Sequence, residues 1–261
     1  MEKLIITATT ANSWIYPEIK NWAETVDQLI EDVVQCYEAG AAIAHVHLPR
    51  GNEVNIVKRI KERCDIIVQA GMSSESIPKR TGDFEAKPDM MSTILNHHAE
   101  HFTQVDVDVL HSLEELEDYC KKFKEYNIKP EWEVWNTGSY WNLQYLIDKK
   151  LIEGPHFLTL FFNWPGGTWS PPTFEEYINR VRNMPKNCVY SVSIMGKEQT
   201  MVAVLALTRG GNIRVGTEDY PFINGNPAKN NAEIVEKYMS ISKHVGREVA
   251  DPSEARKIIG I

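Results

Sequence analysis

His45 and His47 lie two residues apart in the run from Ala42 to His47, whose small and β-branched residues read as a strand. Side chains two apart on a strand share a face, so both imidazoles project the same way, with Ile43 beside them and Ala44 and Val46 turned to the other side. Paired neutral imidazoles suit zinc or a similar divalent ion. The plainer alternative is one buried and one capping histidine, but the end of a strand, where barrel enzymes build their sites, favours a metal. The run from Asn212 to Asp219 puts Arg214, Gly216 and Glu218 on one face by the same alternation, with Asp219 next. Where a closed barrel brings the last strand beside the first, Glu218 completes two histidines and a carboxylate, leaving a coordination position for substrate. Arg214 then orients Asp219 or clamps a substrate carboxylate through its planar fork. A surface Glu-Asp pair opening a turn is the alternative.

Three further stretches carry reactive groups. Glu131, Glu133 and Trp135 share a strand face. Inside a barrel these carboxylates need partners, because an unpaired buried charge is costly; on the outside they would pair with helix lysines. His97, His98, Glu100 and His101 match the H-x-x-E-H pattern of some zinc peptidases. That pattern needs a helix and here lies beside strand-like sequence, so polar groups in a loop or at a barrel mouth are favoured. Gly166 and Gly167, within the stretch Asn163 to Trp169, offer a turn whose backbone N–H groups contact an oxyanion, or else an ordinary tight turn.

Alternating β and α patterns position these groups. Strands are predicted at Leu4–Ala8, Ala42–His47, Asp65–Ala70, Lys129–Trp135, His156–Phe162, Cys188–Ile194 and Asn212–Val215. Helices are predicted at Ala23–Ala39, Val54–Cys64, Leu113–Tyr126, Tyr140–Lys149, Phe174–Asn183, Glu198–Thr208 and Lys229–Val245. Gly71 to Pro88 reads as a loop, and the fourth strand is either Met91–Asn96 or Val105–Val109. Eight β-α units without a composition break predict a (β/α)₈ TIM barrel as one domain over residues 1–261. An open doubly wound sheet is the alternative, disfavoured by the absence of G-x-G-x-x-G after the first strand.

The bulk properties narrow the function classes. A net charge of −8 argues against a nucleic-acid partner, whose phosphates attract basic surfaces. No apolar run has the length of a membrane span, and Glu2 with the polar stretch after Ala8 fits no signal peptide, so a cytoplasmic protein is expected. The four cysteines lie far apart, with no C-x-x-C pair, which reads as reduced thiols.

Taken together, these stretches resemble the β-keto acid cleavage enzyme family. The signatures run through Leu4–Ala8, Glu38–His47, Ile67–Gln69, Lys87–Met90, Pro130–Val134, Pro165–Gly167, Gly210–Asp219 and Gly246–Arg256. The resemblance implies a TIM barrel, usually a homo-oligomer (dimer or tetramer), holding zinc on His45, His47 and Glu218. It implies condensation of a small-molecule β-keto acid with acetyl-CoA as co-substrate, then cleavage to acetoacetate and a CoA thioester. It places the arginine-aspartate base on Arg214 and Asp219 and an active-site glutamate on Glu133. Substrate contacts fall at Trp14, Gly71, Gly166, Gly167 and Thr93, the last aligning equally with Ser92 or Ile94.

The chain departs from the family where substrate is held. The family's ammonium-binding carboxylate after the first strand is replaced by the stretch Ala11 to Trp14, its serine and Thr-Gly-Gly after the third by Ala70 to Ser74, and its Gly-Arg pair after the seventh by Met195 to Glu198. Trp14, Trp164 and Trp169 follow strands and Trp135 ends one, which suggests a shared rim and an aromatic cage for a trimethylammonium or bulky apolar substrate end; core or subunit-interface packing is the alternative. A metal-dependent hydrolase on the same barrel, or a non-catalytic homologue that binds metal and ligand, are the competing functions.

Overall fold

The computed structural model describes residues 2–261 apart from 12, 21 and 102–105. Eight parallel strands close into a barrel: β1 (Ile6–Thr9), β2 (Ile43–Val46), β3 (Ile67–Ala70), β4 (Met90–Ile94), β7 (Lys129–Val134), β8 (His156–Phe162), β9 (Cys188–Ile194) and β10 (Asn212–Gly216). β1 closes the ring, pairing Thr9 with Gly216 on one side and with His45 on the other. Helices α1 (Val26–Glu38), α2 (Glu53–Arg63), α3 (Thr81–Ala86), α4 (Leu113–Tyr126), α5 (Ser139–Asp148), α6 (Phe174–Asn183), α7 (Gln199–Thr208) and α8 (Asn231–Val245) alternate with the strands. Their starts are written locally: Thr25, Ser112, Thr173 and Asn230 accept hydrogen bonds from backbone amides of the first turns of α1, α4, α6 and α8. No helix among the described residues is long and apolar enough to cross a membrane.

Two predicted boundaries are corrected. The stretch read as a loop from Gly71 to Pro88 contains a 3₁₀ turn, Ile77–Arg80, and α3. These elements are too short to show a helical period. A tertiary anchor holds them: buried Arg80 donates to the carbonyls of Ser92 and Gly71, at 2.5 and 2.8 Å. The undecided fourth strand is β4, buried at every position. The second candidate falls in a hairpin outside the barrel, β5 (His97–His101) antiparallel to β6 (Asp106–Leu110), and its first residue, Val105, lies outside the described residues. A parallel barrel strand is covered on both faces, whereas β5 alternates exposed and buried residues, as a strand with one solvent face does. The H-x-x-E-H stretch is therefore strand, and no helix brings its ends together.

The barrel interior is layered. Ile5, Ile43, Ile67, Met90 and Phe157 fill its lower end, closed by Ala255 and Ile259 of the C-terminal helix α9 (Pro252–Ile259). Barrels of this type are usually filled with branched aliphatics throughout. Here the next layers are polar: Thr7, Gln69, Ser92, Glu131, Thr159, Ser191 and Arg214 are all buried. Outward residues of the same strands, such as Ala44, Val46, Trp132, Val134, Leu158 and Leu160, join the helices in the main apolar core.

Candidate active site and metal centre

The site begins with β2, whose alternation turns Ile43 and His45 into the barrel and Ala44 and Val46 to the helices. His45 Nδ1 lies 2.8 Å from Gln69 Oε1, so the amide oxygen accepts the Nδ1 proton and leaves the Nε2 lone pair free. His47 follows at the mouth, its Nε2 3.4 Å from His45 Nε2. Gly71 makes this approach possible: a Cβ there would fall 2.3 Å from His47 Cδ2 and 2.7 Å from His45 Nε2. Glu218 arrives from the turn after β10. Gly216, at φ +150°, lies so close to Thr9 that a Cβ would meet its carbonyl oxygen at 2.2 Å. Thr217 then locks the turn, its amide donating to Asn231 Oδ1 and its hydroxyl to the Ala11 carbonyl.

Glu218 Oε2 stands 3.6 Å from His45 Nε2 and Oε1 stands 3.4 Å from His47 Nε2. A tetrahedral ion with bonds of about 2.0–2.1 Å separates neighbouring donors by roughly 3.3–3.4 Å; the two nitrogens meet that spacing, and each faces one of the two Glu218 oxygens close to it. Among the described residues this is the one group of three or more ligating side chains spaced to hold an ion. Burial, reinforced by Arg214, pushes the His45 pKa down to about 3, keeping the imidazole in its ligating form. Burial opposes ionisation of Glu218, but Arg214 and His47 outweigh it and hold the carboxyl below the usual range.

Arg214 bridges the acids. Its Nη2 lies 2.7 Å from Glu218 Oε2 and 3.0 Å from Asp219 Oδ1, with Cζ 5.2 Å above the Phe161 ring. Ser193 Oγ donates to Asp219 Oδ2 at 2.9 Å. Burial pushes the Asp219 pKa up to about 7, with Glu218 adding to the shift and Arg214 opposing it. Asp219 is fully buried and stands behind the cavity wall rather than on it. Glu133 is on the wall, accepting from Trp135 Nε1 at 3.1 Å; burial raises its pKa while Arg214 opposes the rise. The outward alternative for Glu131 and Glu133 is overturned, since both are buried inside the barrel. Burial and the Glu133 carboxylate push the Glu131 pKa up to about 8.

A cavity of about 250 Å³ opens above these groups. Trp14, His45, His47, Glu133, Arg214 and Glu218 line it, as the sequence reading expects of a shared site. Other expectations are corrected. Thr93 pairs with outward-facing Trp132 and shares its side of β4 with Met91 and Leu95, so it faces the helices; Ser92 and Ile94 face inward. Gly166 and Gly167 do not line the cavity. They seat the hairpin, a Cβ on Gly166 falling 2.0 Å from the Ala99 carbonyl oxygen. The tryptophans divide: Trp14, Trp135 and Trp164 line the cavity, while Trp169 is 53% exposed and donates to Asn163 Oδ1. Trp135 is stacked on Phe161 at 4.2 Å and met by His98 at 3.9 Å, so its ring is packed on protein groups.

Sequence reasoning missed Gln69, Phe161 and Ser193. His98 and Glu100, which it singles out as polar groups in a loop or at a barrel mouth, stand two apart on a strand, and both line the cavity.

The profile of the β-keto acid cleavage enzymes matches residues 3–261. The chain is 32% identical to the 3-keto-5-aminohexanoate cleavage enzyme of Acetoanaerobium sticklandii, covering 100% of this chain and 99% of that protein. It is 22% identical to the 3-dehydrocarnitine:acetyl-CoA trimethylamine transferase of Rhizobium meliloti, over 89% of this chain and 88% of that one. Among solved structures, the complex of ObcA with oxaloacetate superposes with a TM-score of 0.74 at 15% identity, covering 92% of this chain and 67% of that chain.

Proposed function

The chain belongs to the β-keto acid cleavage enzyme family, and from that premise we propose that it uses zinc, held by His45, His47 and Glu218, to cleave a β-keto acid with acetyl-CoA to acetoacetate and a CoA thioester. The observation that carries this reading is the grouping of two imidazole nitrogens 3.4 Å apart, each with a Glu218 carboxylate oxygen at 3.4–3.6 Å, on the wall of the cavity that also holds Arg214 and Glu133. When bound, the metal supplies Lewis-acid polarisation of the β-carbonyl.

The chain's own groups handle charge and proton. Arg214 keeps Glu218 ionised and offsets the negative charge of Asp219 across a buried site. Asp219, held by Arg214 and Ser193, takes the proton whose removal begins carbon–carbon bond formation. It is fully buried and off the cavity wall, so this role needs a proton path from the substrate past Arg214. Glu133 supports a second assignment, because it already lines the cavity with a raised pKa. Asp219→Asn and Glu133→Gln separate the two: the variant of the true base keeps its metal and loses about 10²–10⁴ in kcat, while the other changes KM or metal affinity more than kcat. Near-normal kcat in Asp219→Asn would leave Asp219 a positioning residue.

The reading extends to a cytoplasmic homo-oligomer of one barrel domain per chain. The deciding experiment incubates zinc-loaded protein with acetyl-CoA and a panel of β-keto acids and measures acetoacetate. Its absence across the panel refutes the proposed reaction.

A further inference from the structure

The cavity wall that the hairpin supplies carries a second pair of polar side chains. On β5, His98 and Glu100 turn inward, at 3% and 4% exposure, while His97 and His101 turn to solvent. His98 Nε2 and Glu100 Oε2 stand 2.6 Å apart, close enough that one proton is shared between them. The other two polar atoms of the pair, His98 Nδ1 and Glu100 Oε1, are buried and have no hydrogen-bond partner among the described residues. Buried polar atoms are normally satisfied, so two orphans on neighbouring side chains in a cavity wall mark a place where a bound molecule supplies the missing partners.

The chemistry of the pair follows from its surroundings. Trp135 lies against the His98 ring, and burial disfavours both the imidazolium and the carboxylate. With a carboxylic acid donating to Nε2, the pair is uncharged. Its unused donor, the Nδ1 proton, and its unused acceptor, Oε1, then sit on two side chains that line the cavity. Trp135 and Phe161 are not open as cation-binding faces, because Trp135 stacks on Phe161 and Phe161 carries the Arg214 guanidinium; Trp14 and Trp164 complete the wall.

We propose that His98 and Glu100 form the subsite that selects the substrate's far end, and that this end is an uncharged group able both to donate and to accept a hydrogen bond, such as a hydroxyl or a carboxamide. The proposal rests on the β-keto acid reading of the same cavity. It sets this chain's substrate apart from keto acids ending in an ammonium, a trimethylammonium or an alkyl group.

The test uses zinc-loaded protein and β-keto acids of equal length ending in hydroxyl, carboxamide, methyl, ammonium or trimethylammonium, with binding by calorimetry and acetoacetate release measured separately. Hydroxyl and carboxamide ends are expected to exceed methyl by about 10⁴–10⁵-fold, as in sites built to hydrogen-bond a substrate hydroxyl. Glu100→Gln retains the acceptor and, through its amide, the donor to His98, so it should keep the preference; Glu100→Leu should abolish it. Equal affinity for hydroxyl and methyl ends in the unmodified protein overturns the proposal. So does a preference for ammonium that Glu100→Gln removes, since that is the behaviour of a charged carboxylate; this comparison stands even if Glu100→Leu fails to fold. Selective binding without acetoacetate from any acid refutes the proposed reaction and leaves the subsite standing.

Discussion

His45 contributes to coordination only if its ring is held with Nε2 toward Glu218, and Gln69 is the group that holds it. His45→Ala should therefore lose most of the bound metal, measured by elemental analysis, with the far-ultraviolet circular dichroism of the barrel unchanged. Gln69→Leu should be milder, about 10–100-fold weaker in metal affinity, the usual effect of removing a partner that orients a ligand. Stoichiometric metal in His45→Ala would sink the triad. These residues were legible in the sequence because strand alternation is local: H-x-H, R-x-G and E-x-E each say which side chains share a face. They do not say whether that face looks in or out. The ambiguity at Ser92, Thr93 and Ile94 was of this kind, and a register slip of one residue carries a side chain to the opposite face.

At the scale of elements, the site depends on two attachments. The hairpin rests on the Gly166–Gly167 turn, where Gly166 adopts φ +135° against the Ala99 carbonyl. Gly166→Ala should push β5 away, raising KM through His98 and Glu100 while leaving metal content intact; unchanged kinetics would show that the hairpin does not depend on this contact. The other attachment joins α1 to α8: Asn231 donates to Asp32 Oδ2 at 2.7 Å and accepts from Thr217, next to Glu218. Burial pushes the Asp32 pKa up to about 6, against the Asn231 hydrogen bonds that lower it. The folded pKa exceeds the unfolded value of about 3.9, so the folded state binds the proton more tightly. The group's stabilising contribution is then full below about pH 4 and lost as pH rises through 6. Asp32→Asn should raise Tm relative to the parent at pH 8 more than at pH 4. An equal difference at both would exclude this linkage.

Across the whole molecule, an apolar plug supports a polar chamber. Ile259 is fully buried and packs in the cluster where α9 meets Ile5, Ile43 and Phe157 at the end of the barrel away from the site. Ile259→Ala should cost about 2–5 kcal/mol in chemical denaturation, the usual range for truncating a buried aliphatic. A loss below 1 kcal/mol would mean that α9 is not a structural closure. The metal site should keep its affinity in the folded fraction, because the plug and the donors belong to different layers.

The sequence by itself determined the alternation of strands and helices and the pairs of side chains sharing a face, because each follows from backbone geometry over a few residues. From the number of β-α units it also supported a barrel. Tertiary structure alone decided the rest. Of the two candidates near residue 100, burial on both faces made Met90–Ile94 the barrel strand, while one-sided burial left β5 and β6 as a hairpin over the mouth. Closure through β1 set Glu218 beside His45 and His47, although more than 170 residues separate them in sequence. The full burial of Asp219 behind Arg214 and the orphaned atoms of His98 and Glu100 likewise arise from packing between distant segments, which no local pattern records.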